Sequence, residues 1–253
     1  MRTPSLRFAL ASAFAVACAA TAGCEARPDL AHPVREVAVN LIPLDSAEGQ
    51  RLLFESEARA PFIPLVSHFE TQASVTLCGP TTLAMVLNAL KAPAPAPRAY
   101  APHRLFTQEN VLNGLTREVV SESAVERGGM SLRQAADVLH VYGLIVETHY
   151  AGASTVETFR AQALQYLSRD DHHVIVNYDR AALDQAGAGH ISPLAAYDVE
   201  SDRFLILDVS RYKSPPVWVR ADALFAAMAA PVNAQDMRTR GYLLVRKGSD
   251  ATR

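Results

Sequence analysis

The stretch QASVTLCGPTTLAMVLNAL, Gln72 to Leu90, decides how this chain is read. Leu83, Val86, Leu87 and Leu90 recur at i, i+3, i+4 and i+7 and predict a helix over about 80–90. Pro80 suits the first helical turn, where its missing N–H costs nothing. Cys78 then falls at the helix N-terminus, where unpaired N–H groups and the positive end of the dipole favour thiolate over thiol. A thiolate is a nucleophile. Six residues upstream, Gln72 carries an amide able to donate to an oxyanion forming beside the sulfur. Spacing alone leaves a plainer reading open, a buried cysteine and a surface glutamine.

A thiol nucleophile needs a base and a group that orients the base. The chain holds eight histidines. His32, His68, His103, His140 and His149 have no supporting context. His172 and His173 are adjacent ahead of an apolar run, so in a strand they point to opposite faces and read as surface or lining residues. His190 follows Gly187-Ala188-Gly189 and opens the apolar run Ile191–Tyr197, which reads as a strand. Asp208, eighteen residues on, closes the run from Phe204. Two neighbouring antiparallel strands bring such a pair together. A turn aspartate is the alternative.

Farther out, Leu132, Ala135, Ala136 and Leu139 form a second helical stripe, and Val156, Phe159, Ala163, Leu164 and Leu167 a third. Val174–Tyr178, Phe204–Val209, Val217–Val219 and Tyr242–Arg246 read as strands separated by turn residues, with a helix near Asp222–Met228. Helices first and strands later make an α+β class, a helical lobe packed on an antiparallel sheet. Ala92–Pro97 alternates Ala and Pro and reads as an extended connector.

The N-terminus reads as an export signal. Arg2 and Arg7 precede the apolar run Phe8–Ala20, which is too short to span a bilayer comfortably, and small residues follow. Ala22-Gly23-Cys24 resembles the lipobox of bacterial lipoproteins, with Thr21 where that motif prefers Leu; cleavage after Ala22 is the other reading. The expectation is a signal peptide of lipoprotein type over 1–23, a proline-bearing tether over 24–45 and a catalytic domain over 46–248. The protein is then exported to the periplasmic side of a bacterial membrane and lipid-anchored at Cys24. Cys78 becomes the sole thiol of the folded body, and an oxidising compartment offers it no disulfide partner in its own domain. Loss of 1–23 takes the formal charge from −2 to −4, and no long Lys/Arg run is present, which argues against nucleic acid as a partner. No Cys-x-x-Cys or His-x-x-x-His cluster points to an intrinsic metal site.

Four ordered stretches, Gln72–Leu90, Phe106–Val111 (FTQENV), Val176–Tyr197 and Phe204–Val219, resemble the phytochelatin synthase family over roughly Leu41–Lys247. The resemblance implies a papain-like fold and a triad of Cys78, His190 and Asp208 with Gln72 at the oxyanion. It implies substrate contacts from Arg180, Arg211, Asp236 and Arg240. The implied reaction is cleavage of the Cys–Gly amide of glutathione through a thioester on Cys78. The absence of a cysteine-rich region after Cys78 resembles the short bacterial members, and implies mainly hydrolysis, with minor phytochelatin synthesis and a role in metal detoxification. Cofactors are expected to be none, with metal entering only as a metal–glutathione thiolate substrate. A papain-like peptidase on other small peptides and a non-catalytic thiol- or metal-binding lipoprotein stay open, as does a homodimer.

Overall fold

The computed structural model of the protein describes residues 40–96, 101–232 and 238–248. Its α+β architecture is built on a seven-stranded antiparallel sheet of order β1-β6-β5-β4-β3-β7-β2. The strands are β1 (Ile42–Pro43), β2 (Leu144–Tyr150), β3 (His172–Asp179), β4 (Gly189–Asp198), β5 (Arg203–Ile206), β6 (Val217–Arg220) and β7 (Gly241–Lys247). The helices are α1 (Ala47–Glu55), α2 (Phe62–Val66), α3 (Cys78–Ala89), α4 (Glu122–Gly128), α5 (Leu132–Val141), α6 (Val156–Leu167) and α7 (Ala221–Ala229).

Local chemistry starts most of the longer helices. Ser46 Oγ accepts from Gly49 N–H at 2.9 Å and caps α1. Ser131 and Gln134 close a reciprocal capping box on α5, and Thr155 caps α6. α7 lacks a side-chain cap, and so does α3. Leu77 at its N-cap offers no side-chain acceptor, so the first N–H groups of α3 have no side-chain cap there.

That helix begins at Cys78, two residues before the sequence pattern places it, and it is buried nearly all round rather than along one stripe. Leu83, Val86 and Leu87 are fully buried, which stabilises the fold by about 1.5–3 kcal/mol each. Its two adjacent threonines bond inward. Thr82 Oγ1 donates to Ile191 O of β4 at 3.0 Å, tying the helix to the sheet.

Helices cover both faces of the sheet, not one. One core joins α3 and α5 to Ile175, Ile191, Leu205 and Val245; the other joins α6 and α7 to Val174, Val176, Tyr178 and Phe204. The strict alternation of β3 feeds both cores, as a two-sided sheet requires. Two boundaries differ from expectation. The sheet starts at Ile42, paired with Trp218, inside the stretch expected to be tether. An unforeseen strand, β2, lies at the sheet edge against β7, with its Glu147, Thr148 and Tyr150 exposed. Residues 92–96 carry no helix or strand, as the Ala-Pro alternation predicts; Pro97 lies outside the described residues.

Candidate active site

Three elements converge on one point. β4 pairs with β3 so that His190 stands opposite Tyr178. β5 pairs with β4, and Asp208 follows two residues past the end of β5. The α3–β4 tie places Cys78 against the start of β4. The His190 side chain and the backbone N–H groups of Ile191 and Gly79 lie near enough to the Cys78 thiol to favour its thiolate. Gly79 permits this packing, because a Cβ there would meet the Cβ of Met130 at 2.9 Å.

His190 Nε2 lies 2.9 Å from Asp208 Oδ1. Asp208 is fully buried, and Arg180 Nη2 donates to both of its oxygens at 2.6 Å. Ser210 N–H adds a bond at 2.8 Å, and Tyr178 Oη donates to Oδ2 at 3.5 Å. Arg180 Nη2 also sits 3.1 Å from His190 Nε2. Both are donors when Nε2 carries a proton, so that approach is two donors meeting over one carboxylate. Asp208 thereby fixes the proton on Nε2 and leaves Nδ1 for the thiol.

The charges follow from this geometry. Burial pushes the Cys78 thiol up, but the His190 hydrogen bond and charge outweigh it and the thiol ends below its ordinary value. Burial pushes His190 down, and Asp208 more than reverses it, so the imidazole ends above its ordinary value. Burial raises Asp208, while His190, Arg180 and the Ser210 N–H bring it below the usual carboxylate range. Both shifts favour a thiolate–imidazolium pair, the form able to attack an acyl carbon and return a proton to a leaving amine.

The pair opens on a cavity of about 780 Å³. Cys78 and His190 line it together with Met130, Asn177, Gly189 and Arg240. Arg240 is buried, and its Nη1 donates to Ala230 O at 3.1 Å and Pro231 O at 3.0 Å. Gly189 makes room for it, since a Cβ there would lie 3.2 Å from Arg240 Nε.

The other residues expected at the site, where described, do not line the cavity. Arg180, expected at the substrate, is buried against Asp208 and donates also to Ser214 Oγ at 3.2 Å. Arg211 is exposed, its guanidinium 4.8 Å over the Phe69 ring. Gln72 is buried but does not line the cavity. Its Nε2 donates to Ser74 O at 2.7 Å and Tyr212 Oη at 3.1 Å, and its Oε1 is without a partner among the described residues. To serve an oxyanion, the Nε2–H aimed at Tyr212 has to turn. Asp236 and Cys24 lie outside the described residues. His172 is partly buried at the start of β3, whereas His173 is buried in the fold rather than at the surface. Among the described residues no group of three or more His, Cys, Asp and Glu is placed to hold a metal ion. No described helix is long and apolar enough to cross a membrane.

Sequence reading missed Asn177 on the cavity wall and Tyr178 and Ser192 around the His190–Asp208 pair. Ser192 Oγ is 3.1 Å from His190 Nε2. The i, i+2 spacing of His190 and Ser192 on one strand was the available signal, because it puts both on one face.

The site has the parts of a thiol-dependent acyl-transfer centre on an α+β fold. The comparisons with known proteins narrow that class. A family model described as phytochelatin synthase matches residues 33–242, and the chain belongs to that family. Glutathione gamma-glutamylcysteinyltransferase 3 of Lotus japonicus is 35% identical over 209 residues, covering 81% of this chain and 42% of the relative. Glutathione gamma-glutamylcysteinyltransferase 2 of Arabidopsis thaliana is 32% identical over 214 residues, covering 83% and 46%. A Schizosaccharomyces pombe relative with the same enzyme name is 26% identical over 219 residues, covering 83% and 50%. The chain thus spans half or less of the length of these relatives.

Proposed function

We propose that this protein cleaves the Cys–Gly amide of glutathione through a γ-glutamylcysteinyl thioester on Cys78, with water as the main acceptor. The observation that carries this reading is the buried Cys78–His190–Asp208 chain at the wall of a cavity that also holds Arg240. The relatives' names supply the acyl group, and a papain-like arrangement of helix-borne thiol and sheet-borne imidazole supplies the mechanism. Thiolate Cys78 attacks the amide carbon, and the C–N bond breaks as His190 gives its proton to the departing glycine amine. Asp208 holds the imidazolium throughout. Gln72, once its Nε2–H turns from Tyr212, and a backbone N–H serve the oxyanion. Arg240 faces the γ-glutamyl carboxylate, where a planar cation gives two parallel hydrogen bonds. The thioester then passes to water, releasing γ-glutamylcysteine, or to the amine of a second glutathione, extending a phytochelatin. A metal ion enters only as the glutathione thiolate complex, and a role in metal detoxification follows from that substrate.

Water is always at hand, whereas a second glutathione outcompetes it only from a built site that raises its effective molarity. Chromatographic product analysis across a glutathione series, with and without cadmium, tests the reading. Glycine and γ-glutamylcysteine are expected as the main products at low glutathione. Mostly phytochelatin there overturns the hydrolytic assignment, and no glycine release overturns the substrate. Residues 1–23 are proposed as a lipoprotein signal and Cys24 as the lipidated residue on the periplasmic side. Full-length protein should partition with membranes, and Cys24→Ala should release it to the soluble fraction.

A further inference from the structure

The motif FTQENV, Phe106–Val111, contributes nothing to the cavity wall, yet its Gln108 is buried beside the loop that leads into Cys78. Gln108 uses every hydrogen-bonding valence of its amide. Nε2 donates to Glu70 Oε1 at 2.7 Å and to Thr71 O at 3.1 Å. Oε1 accepts from Ala73 N–H at 2.7 Å and from the Thr81 hydroxyl at 3.1 Å, a hydroxyl it shares with Leu77 O. Because Ala73 N–H and Thr71 O admit only one orientation, the amide cannot flip.

These four partners are telling by position. Glu70, Thr71 and Ala73 flank Gln72 on both sides, and Thr81 lies one turn into α3 from Cys78. Gln72 itself is held from the opposite side, its N–H on Val209 O at 2.9 Å, next to Asp208. The loop 70–77 is therefore pinned between Gln108 and the Asp208 segment, and its far end, Val75 and Thr76, forms part of the cavity wall. We infer that Gln108 is a positioning residue of the active site, a clamp that sets the Gln72 carboxamide relative to the Cys78 thiol by tying the loop to α3. A fully satisfied buried amide specifies one arrangement, and its loss leaves several polar groups without partners at once.

This inference rests on the thioester reading above, and its test separates the two. The readout is the acylation burst of the full chain with p-nitrophenyl acetate, which needs the thiol and the oxyanion site but not glutathione recognition. Gln108→Met, close in size and unable to make these bonds, should slow acylation by about 10- to 100-fold, somewhat less than the loss of an oxyanion donor itself. The pH profile of Cys78 alkylation by iodoacetamide should stay unchanged, because the Cys78–His190 pair is untouched. In a Gln72→Ala background, Gln108→Met should add less than about twofold, since it acts through a group already gone. Additive losses, a Gln72→Ala protein as fast as the parent, or a shifted alkylation profile each overturn the inference. Should Gln108→Met not fold, Gln108→Glu paired with Glu70→Gln restores a donor–acceptor pair across the same gap. The double substitution should then acylate at least fivefold faster than Gln108→Glu alone, and equal rates overturn the clamp. A parent that acylates with the ester but is inert to glutathione fails the substrate reading and leaves the clamp test intact.

Discussion

Two buried arginines, one 3.1 Å from His190 and one lining the same cavity as His190, are held in opposite ways. Arg180, after the end of β3, gives one nitrogen to both oxygens of a fully buried carboxylate. Arg240, just before β7, has backbone carbonyls as its described acceptors, Ala230, Pro231 and Val232. The first arginine is part of an internal ion pair, whose charges must be matched because neither meets water. The second is held by dipoles at the wall of a cavity. The difference teaches that burial alone does not tell whether a cation neutralises an internal carboxylate or stands at a cavity wall; the described partner does.

The largest expected effect tests the thiol itself. Cys78→Ser should lower turnover on the order of 10⁴- to 10⁶-fold, the scale of losing a member of a catalytic triad, with the fold intact by circular dichroism. Retention of a few per cent of activity would remove Cys78 as the nucleophile.

The arginine contrast comes next. Arg180→Met removes the closest cation of the buried Asp208, leaving His190 as its described ionisable partner, and should cost about 3–5 kcal/mol of stability. Arg240→Met should cost clearly less stability and instead raise KM for glutathione about tenfold or more, with kcat changed far less, the loss of about one charge-assisted contact. Denaturant melts and steady-state kinetics on both variants decide it. Equal stability losses with equal KM would erase the distinction.

The smallest effect concerns His173, buried at the start of β3 with its Nδ1 unpartnered among the described residues. Burial pushes it down from 6.5 to about 4. Between those values the unfolded chain binds a proton that the folded chain refuses, so stability falls as pH falls from 6.5 towards 4. The span corresponds to at most about 3 kcal/mol. His173→Leu should flatten that acid limb in denaturant melts at pH 7 and 5, leaving the alkaline side unchanged. An unaltered limb would place the acid sensitivity in another group, Asp208 being the first to examine, since its depressed carboxyl also favours folding only at higher pH.

Much of this is legible in the sequence. Long apolar stripes predicted α3, α5 and α6, since a helix that packs on a core must carry its apolar residues at helical spacing. The apolar runs predicted β3–β7 for the matching reason, that central strands are buried on both faces. β2 was not legible, because an edge strand with one exposed side reads as polar as a loop in its second half. Leu144–Val146 alone carry its apolar signal, following directly on α5. The extent of α3 burial was also hidden, because Thr81 and Thr82 read as polar until their acceptors, Leu77 O and Ile191 O, are known.

By itself the sequence determined the α+β class and the helix that presents Cys78, and it offered His190 and Asp208 as a pair on neighbouring strands with a turn aspartate as the alternative; Asp208 lies two residues past the end of β5. These rest on periodicity and on short apolar runs close together in the chain. The tertiary structure alone decided that Arg180 belongs to Asp208, that Arg240 reaches the cavity across Gly189, and that Gln108 grips the loop before Cys78. Each of those depends on a hydrogen bond between residues 28 or more positions apart or on a gap left by a missing side chain. Such contacts are set by how sheet and helices stack, and no local pattern encodes them.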